Sequence, residues 1–225
     1  MFDTATALAL LQYGDSAYPA GGFAFSWGIE GLAADGLLEN ARDLDDFVWE
    51  HLTLRWNSMD RVLLDRAYRA GDIAAIAAID RDAEAATPSA PMREGSRRAG
   101  RALLGVSVRL GGALSVAYRT CLADAPHLGH LPVVQAVVYR DAGLAPQAAE
   151  LVSGWTLVHG LVSAAVRLGV IGHVEAQRAL QSARAVLAEL LAEPMLPDAL
   201  PSSFTPLIDI AVSRGKARPI RMFTT

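Results

Sequence analysis

Apolar residues recur at spacings of three and four along almost the whole chain, and that rhythm predicts helices. It is plainest at Leu44, Phe47, Val48, His51, Leu52 and Arg55, on a helix that Asp43 can cap, with Asn57 and Ser58 as an interruption before Val62, Leu63 and Ala67. Upstream, Thr4 can cap a short helix through about Gln12, and Phe23 to Ala34 reads as a second, stopped near Gly36. Downstream, Ile73, Ile76 and Ile79 follow the stop and cap of Gly71-Asp72, and the Thr87–Pro91 stretch is a loop. Met92–Leu110 then forms a long helix, bent or ended at Gly111-Gly112, and Ala113–Leu122 another. Pro132 suits the first turn of a helix running to about Asp141. Two long helices follow, Gln147–Leu168 and Val174–Leu191, then the prolines 194, 197 and 201, and a last short helix from Ser203–Pro206 onward. Alternating runs joined by hairpin dipeptides are not seen. The prediction is an all-α fold, a single-domain bundle of about ten helices over residues 1–225, with 212–225 a basic and apolar C-terminal tail.

Within this pattern the 147–168 helix is apolar almost all round. Leu151, Trp155, Val158, Val162 and Val166 form one stripe, and Leu157, Leu161 and Ala165 widen it. Such a helix belongs at the centre of a bundle or at a subunit interface. Ser153, Thr156, His159 and Ser163 make it too polar, and the uncharged run is too short, for a membrane span of about 20 apolar residues.

The least generic stretch is LLQYGDSAYPAGGFAFSWGIEGL, residues 10–32. Gly14, Asp15, Ser16, Pro19, Gly21 and Gly22 stop a helix and build a turn. Phe23, Phe25 and Trp27 follow at once, with Gly28 and Gly31 spaced for close backbone approach. Large rings in a turn are costly to expose, so they are expected to be covered by this chain or by a partner. The glycine pair is not a phosphate loop, because neither GxxxxGK[ST] nor GxGxxG occurs.

Composition narrows the class. With 24 acidic and 20 basic residues among 225, the net charge is −4, which gives no footprint for nucleic acid or an anionic membrane. One cysteine, Cys121, excludes an internal disulfide and a CxxC motif. The N-terminus lacks a basic n-region and an AxA site, so a soluble, cytoplasmic protein is expected.

Candidate chemistry is thin. His127 and His130 could clip a metal in their loop, or be solvated and capping histidines. His159 reads as a core or interface histidine. Asp15 and Ser16 lack a GxSxG elbow and read as caps. Arg93, Arg97, Arg98 and Arg101 are either a solvated helix face or a pairing surface for an acidic partner. In the tail, Arg214, Lys216, Arg218 and Arg221 alternate with Pro219, Ile220, Met222 and Phe223, a pattern that suggests docking on this chain or another.

The segment over residues 10–32 resembles the N-terminal signature of the UreF family: Gln12, Asp15, Ser16, Pro19, Gly21, Gly22, Phe23, Ser26, Gly28 and Glu30 fill it, with Ile29 for the usual Leu. REGSRRAGRALL, HLPVVQAVVYRDAGL, the Ala-Ala-Val-Arg-Leu end of VSGWTLVHGLVSAAVRLGV, and TPLIDIAVSRGKARPIRMFTT resemble further family segments in order. Gly215, His173 and Thr224-Thr225 depart from the pattern.

The resemblance implies a non-enzymatic urease-maturation scaffold with no cofactor of its own. It implies an all-helical homodimer that binds UreD/UreH, recruits the GTPase UreG and supports nickel delivery to apo-urease, with nickel and GTP handled by partners. The partner-binding residues it implies are Pro19, Gly21, Gly22, Phe23, Ser26 and Glu30 near the start, with Gly22 and Phe23 facing the GTPase, and Arg218, Arg221 and Phe223 in the tail. A different class stays open from the residues alone: a helical enzyme or ligand-binding protein with an interhelical site using Asp15, Glu30 and His159.

Overall fold

Asp3, Asn40 and Asp72 each aim a side-chain oxygen at the free N–H groups that open a helix, at 2.7 Å to Thr6 N, 2.9 Å to Arg42 N and 2.8 Å to Ala75 N. The first two caps differ from the expected Thr4 and Asp43. Asp43 instead lies in the first turn, where its carboxylate accepts from Glu39 N and Asn40 Nδ2, both at 2.9 Å. The computed structural model describes residues 3–19, 25–215 and 223.

Among the described residues the fold is all-α. In chain order the helices are α1 (Thr4–Gly14), α2 (Ile29–Ala34), α3 (Ala41–His51), α4 (Arg61–Arg69), α5 (Ile73–Ala86) and α6 (Ala90–Arg109). Then come α7 (Ala113–Ala123), α8 (Leu131–Asp141), α9 (Pro146–Arg167), α10 (His173–Ala192) and α11 (Pro206–Gly215). Two expectations need correction. The helix expected from Phe23 starts only at Ile29, because Trp27 (φ 51°) and Gly28 (φ 101°) both turn left-handed ahead of it. The expected interruption at Asn57-Ser58 does not occur. The backbone runs unbroken from α3 to α4 through nine residues of π-helix, Leu52–Asp60. No glycine or proline stops it there, and Asn57 accepts from Arg61 Nη1 at 2.9 Å instead of capping.

The single-domain bundle has two adjoining cores. One joins α2, α3, the C-terminal half of α9, α10 and α11. The other joins α4, α5, α7, α8 and the N-terminal half of α9. The α3–α4 rod, α6 and α9 contribute to both. By length and composition α9 could cross a membrane, but 56% of its apolar window is buried inside this fold, which suits the first of the two places its pattern allowed, the centre of a bundle. At Gly31 a Cβ would lie 2.8 Å from Ala211 O, and at Gly28 2.8 Å from Ile208 Cγ2, so the two glycines let α11 lie directly on α2.

Arg61 ties these parts together. Its guanidinium is 2% exposed and meets Glu150 of α9 at 2.7 Å. It also donates to Leu190 O at 2.7 Å and Glu193 O at 2.8 Å, the unsatisfied carbonyls at the end of α10. Removing one partner of a buried ion pair leaves a desolvated charge, at a cost of about 3–5 kcal/mol. Arg61→Met is therefore expected to lose that much in urea unfolding, and Arg61→Met with Glu150→Gln to recover most of it. Additive losses in the double variant would show that the pair is not the source.

Candidate functional site

The end of α1 and the turn after it form one wall of a cavity of about 440 Å³. Tyr13 packs on Tyr18 (ring centroids 4.8 Å) and edge-on to Tyr139 of α8 (5.5 Å), which fixes the turn against the bundle. The helix-stopping residues Gly14, Asp15, Ser16 and Pro19 line this wall. Opposite it, Ser153, Thr156, His159, Gly160, Ser163 and Arg167 line the cavity, one face of α9 at helical spacing. The floor is the π-helical stretch with His51, Arg55, Trp56 and Asp60, and Gln135 of α8 closes a side.

Polar groups here are buried and unevenly satisfied. Trp56 Nε1 donates to Ser153 Oγ (3.2 Å), which donates to Gln135 Oε1 (2.9 Å). Arg55 is 4% exposed, with Asp60 3.7 Å away. His51 is 1% exposed, and among the described residues its Nδ1 has no hydrogen-bond partner. Burial, with Arg55 adding to it, pushes the His51 imidazole down to about 3. Burial raises Asp60 above the carboxylate range, with Arg55 and His130 opposing. Asp15 and His159 meet in this cavity, as an interhelical site would need, but Glu30 is not among its lining. Among the described residues no serine or cysteine hydrogen-bonds to a histidine, so no nucleophile–base pair is assembled.

The residues taken as partner-binding divide by position. Pro19 is exposed beside the cavity and Glu30 is half-buried on α2. Ser26 (1% exposed) and Phe223 (3%) are inside the protein, so in this conformation they shape the surface from beneath and offer none of their own. Phe25 and Trp27 are likewise buried, and Arg167 stacks over the Phe223 ring at 4.2 Å. The described turn aromatics and this end of the tail are thus covered by the chain itself. Gly21, Gly22, Phe23, Arg218 and Arg221 lie outside the described residues.

The α6 arginines are neither a purely solvated face nor a free pairing surface. Arg93 and Arg97 grip Glu84 of α5, Arg101 donates to Pro126 O and Leu128 O, and Arg98 lies over Phe25. His130 is buried with Nε2 2.8 Å from Glu84, while His127 is exposed and lends its carbonyl to Arg97.

A feature that periodicity did not single out is an exposed apolar strip, Leu196, Leu200, Phe204, Leu207 and Ile210, between 47% and 80% exposed. Its backbone is anchored: Ser202 N donates to Ser58 O (2.9 Å) and Phe204 N to Leu54 O (3.1 Å), both carbonyls of the π-helical stretch. Leu8 and Leu11 of α1, a helix with no buried residue, are exposed as well. In the sequence the prolines marked only the end of α10, and Ser203–Pro206 the start of a last helix.

His51 gives a pH prediction. The folded protein holds it neutral, while the unfolded chain protonates it near its ordinary value of about 6.5. Stability is complete above that pH and is lost as pH falls below it. The difference in unfolding free energy between wild type and His51→Gln is expected to be flat down to about pH 6.5 and then to move against wild type by about pH 5. Parallel curves across that range would contradict it.

The sequence matches the UreF family profile over residues 38–184. It is 34% identical over 183 residues to the urease accessory protein UreF of Trichodesmium erythraeum, covering 79% of this chain and 78% of the relative. It is 32% identical over 163 residues to the urease accessory protein UreF of a Mycobacterium species, covering 72% and 73%. It is 28% identical over 223 residues to urease accessory protein UreF 1 of Brucella melitensis, covering 96% and 91%. A profile spanning well over half the chain, together with these relatives, places the bundle: the chain belongs to the UreF family.

Proposed function

We propose that this chain is a non-catalytic scaffold in urease maturation. It binds UreD/UreH, recruits the GTPase UreG, and in that assembly supports nickel insertion into apo-urease. It acts as a homodimer in the cytoplasm, and nickel and GTP are handled by the partners. The observation that carries this reading is the anchored apolar strip from Leu196 to Ile210. A loop tied to the core by two backbone hydrogen bonds, yet presenting Leu200 at 80% and Phe204 at 75% exposure, is built to be covered by another protein. Family membership supplies the setting. Pro19 and Glu30 belong to the proposed contact surface, with Gly21, Gly22, Phe23, Arg218 and Arg221 completing it, while Ser26 and Phe223 support it from below.

The test is co-purification of the tagged chain with UreD/UreH and UreG from cells expressing the urease genes. Leu200→Glu with Phe204→Glu is expected to lower recovery of at least one partner about tenfold, since charges would enter an apolar interface core. Far-UV circular dichroism should stay at wild type, because both side chains point to solvent. A companion variant, Phe23→Ala with Arg221→Ala, is expected to lose UreG. Intact complexes with both pairs of changes would overturn the assigned surfaces.

A further inference from the structure

The π-helical stretch Leu52–Asp60 does more than join α3 to α4. Extended π-winding is rare and is found most often where function needs it. Its effect here is geometric. At about 100° per residue, an α-helix would aim His51 and Asp60 to opposite sides. The wider i→i+5 winding advances only roughly 80° per residue, so the two return to one side with Arg55 between them. All three face the cavity.

That wall holds a buried guanidinium whose hydrogen-bonding capacity is unmet, with the Asp60 carboxylate near it. A guanidinium carries five N–H donors. Arg55, 4% exposed, makes no hydrogen bond among the described residues, and Asp60 stands off at 3.7 Å. Asp209 balances part of the charge at longer range. Gln135 on the facing side is already engaged, its oxygen with Ser153 and its amide with the Tyr139 hydroxyl. Among the described residues His51 Nδ1 has no partner. Burying such groups unsatisfied is costly, and an acceptor-rich ligand would satisfy several together. A cation would meet the Arg55 charge, whereas an anion would be drawn to it. The volume, about 440 Å³, suits a small molecule.

We propose that this cavity binds a small oxyanion, a carboxylate or a phosphate, on the Arg55 guanidinium, with His51 beside it. The site goes beyond the scaffold role and does not rest on it, since it can be measured on the isolated chain without partners.

The experiment titrates inorganic phosphate and acetate separately into the full chain at constant ionic strength, read by calorimetry and by NMR of the tryptophan indole N–H groups. One saturable site per chain is expected, with the Trp56 resonance moving; which anion saturates identifies the source. Arg55→Gln should weaken binding about tenfold or more, as loss of a charge-assisted hydrogen bond does. Because Arg55→Gln can disturb folding, Gly160→Leu provides a second arm. Gly160 lines the cavity with no atom within 4 Å of a Cβ, so the leucine would occupy the ligand's space while improving helix propensity. It should abolish binding in a folded protein. Arg93→Gln, on α6 away from the cavity, should bind as wild type does. The proposal is overturned if neither anion saturates by about 10 mM, or if folded Gly160→Leu binds as wild type does.

Discussion

The ion pair between Arg61 and Glu150 is the constraint on which the arrangement depends. It fixes where the α3–α4 rod meets α9, and its spare donors seize the last carbonyls of α10. Two charges removed from water need hydrogen-bond partners to be stable there, and four of the five Arg61 donors have one. Trp56 lies beneath the same guanidinium at 5.9 Å and reaches Ser153 by its indole N–H. The junction therefore holds both cores in register.

The π-helical stretch beside that junction has two sides with different work. Its inner side chains face the cavity, and its outer carbonyls at Leu54 and Ser58 hold the loop that bears the apolar strip. One irregular segment thus supports an interior space and an outer surface at once. A change on either side is felt through the same nine residues.

Much of this was legible in the sequence. Three-and-four spacing gave the helices and marked α9 as belonging to a bundle centre or an interface, because burial on a helix leaves that trace in either context. Gly28 and Gly31 announced a close backbone approach, though not that α11 would make it, and the residue pattern from Gln12 to Glu30 resembled the family. Other features left no trace. The π-winding between His51 and Asp60 has no compositional mark, so Asn57-Ser58 read as a break. Nor could charge alone reveal that Arg93 and Arg97 close on Glu84. Tertiary partners decided both. The cavity needs α1, α8, α9 and the π-helical stretch together, and only its Asp15 and His159 had been considered for an interhelical site.

The extra width of Leu52–Asp60 also has a bearing on chain length. An ordinary α-helix completes two turns in about seven residues, whereas the path from His51 to Asp60 takes nine steps. A relative shorter by two residues at this point would keep α3 and α4 in phase, with an arginine still opposite its glutamate. Both ends of the segment would still face the cavity, with two fewer residues between them to line its wall. Insertions and deletions here can therefore remodel the interior while sparing the bundle.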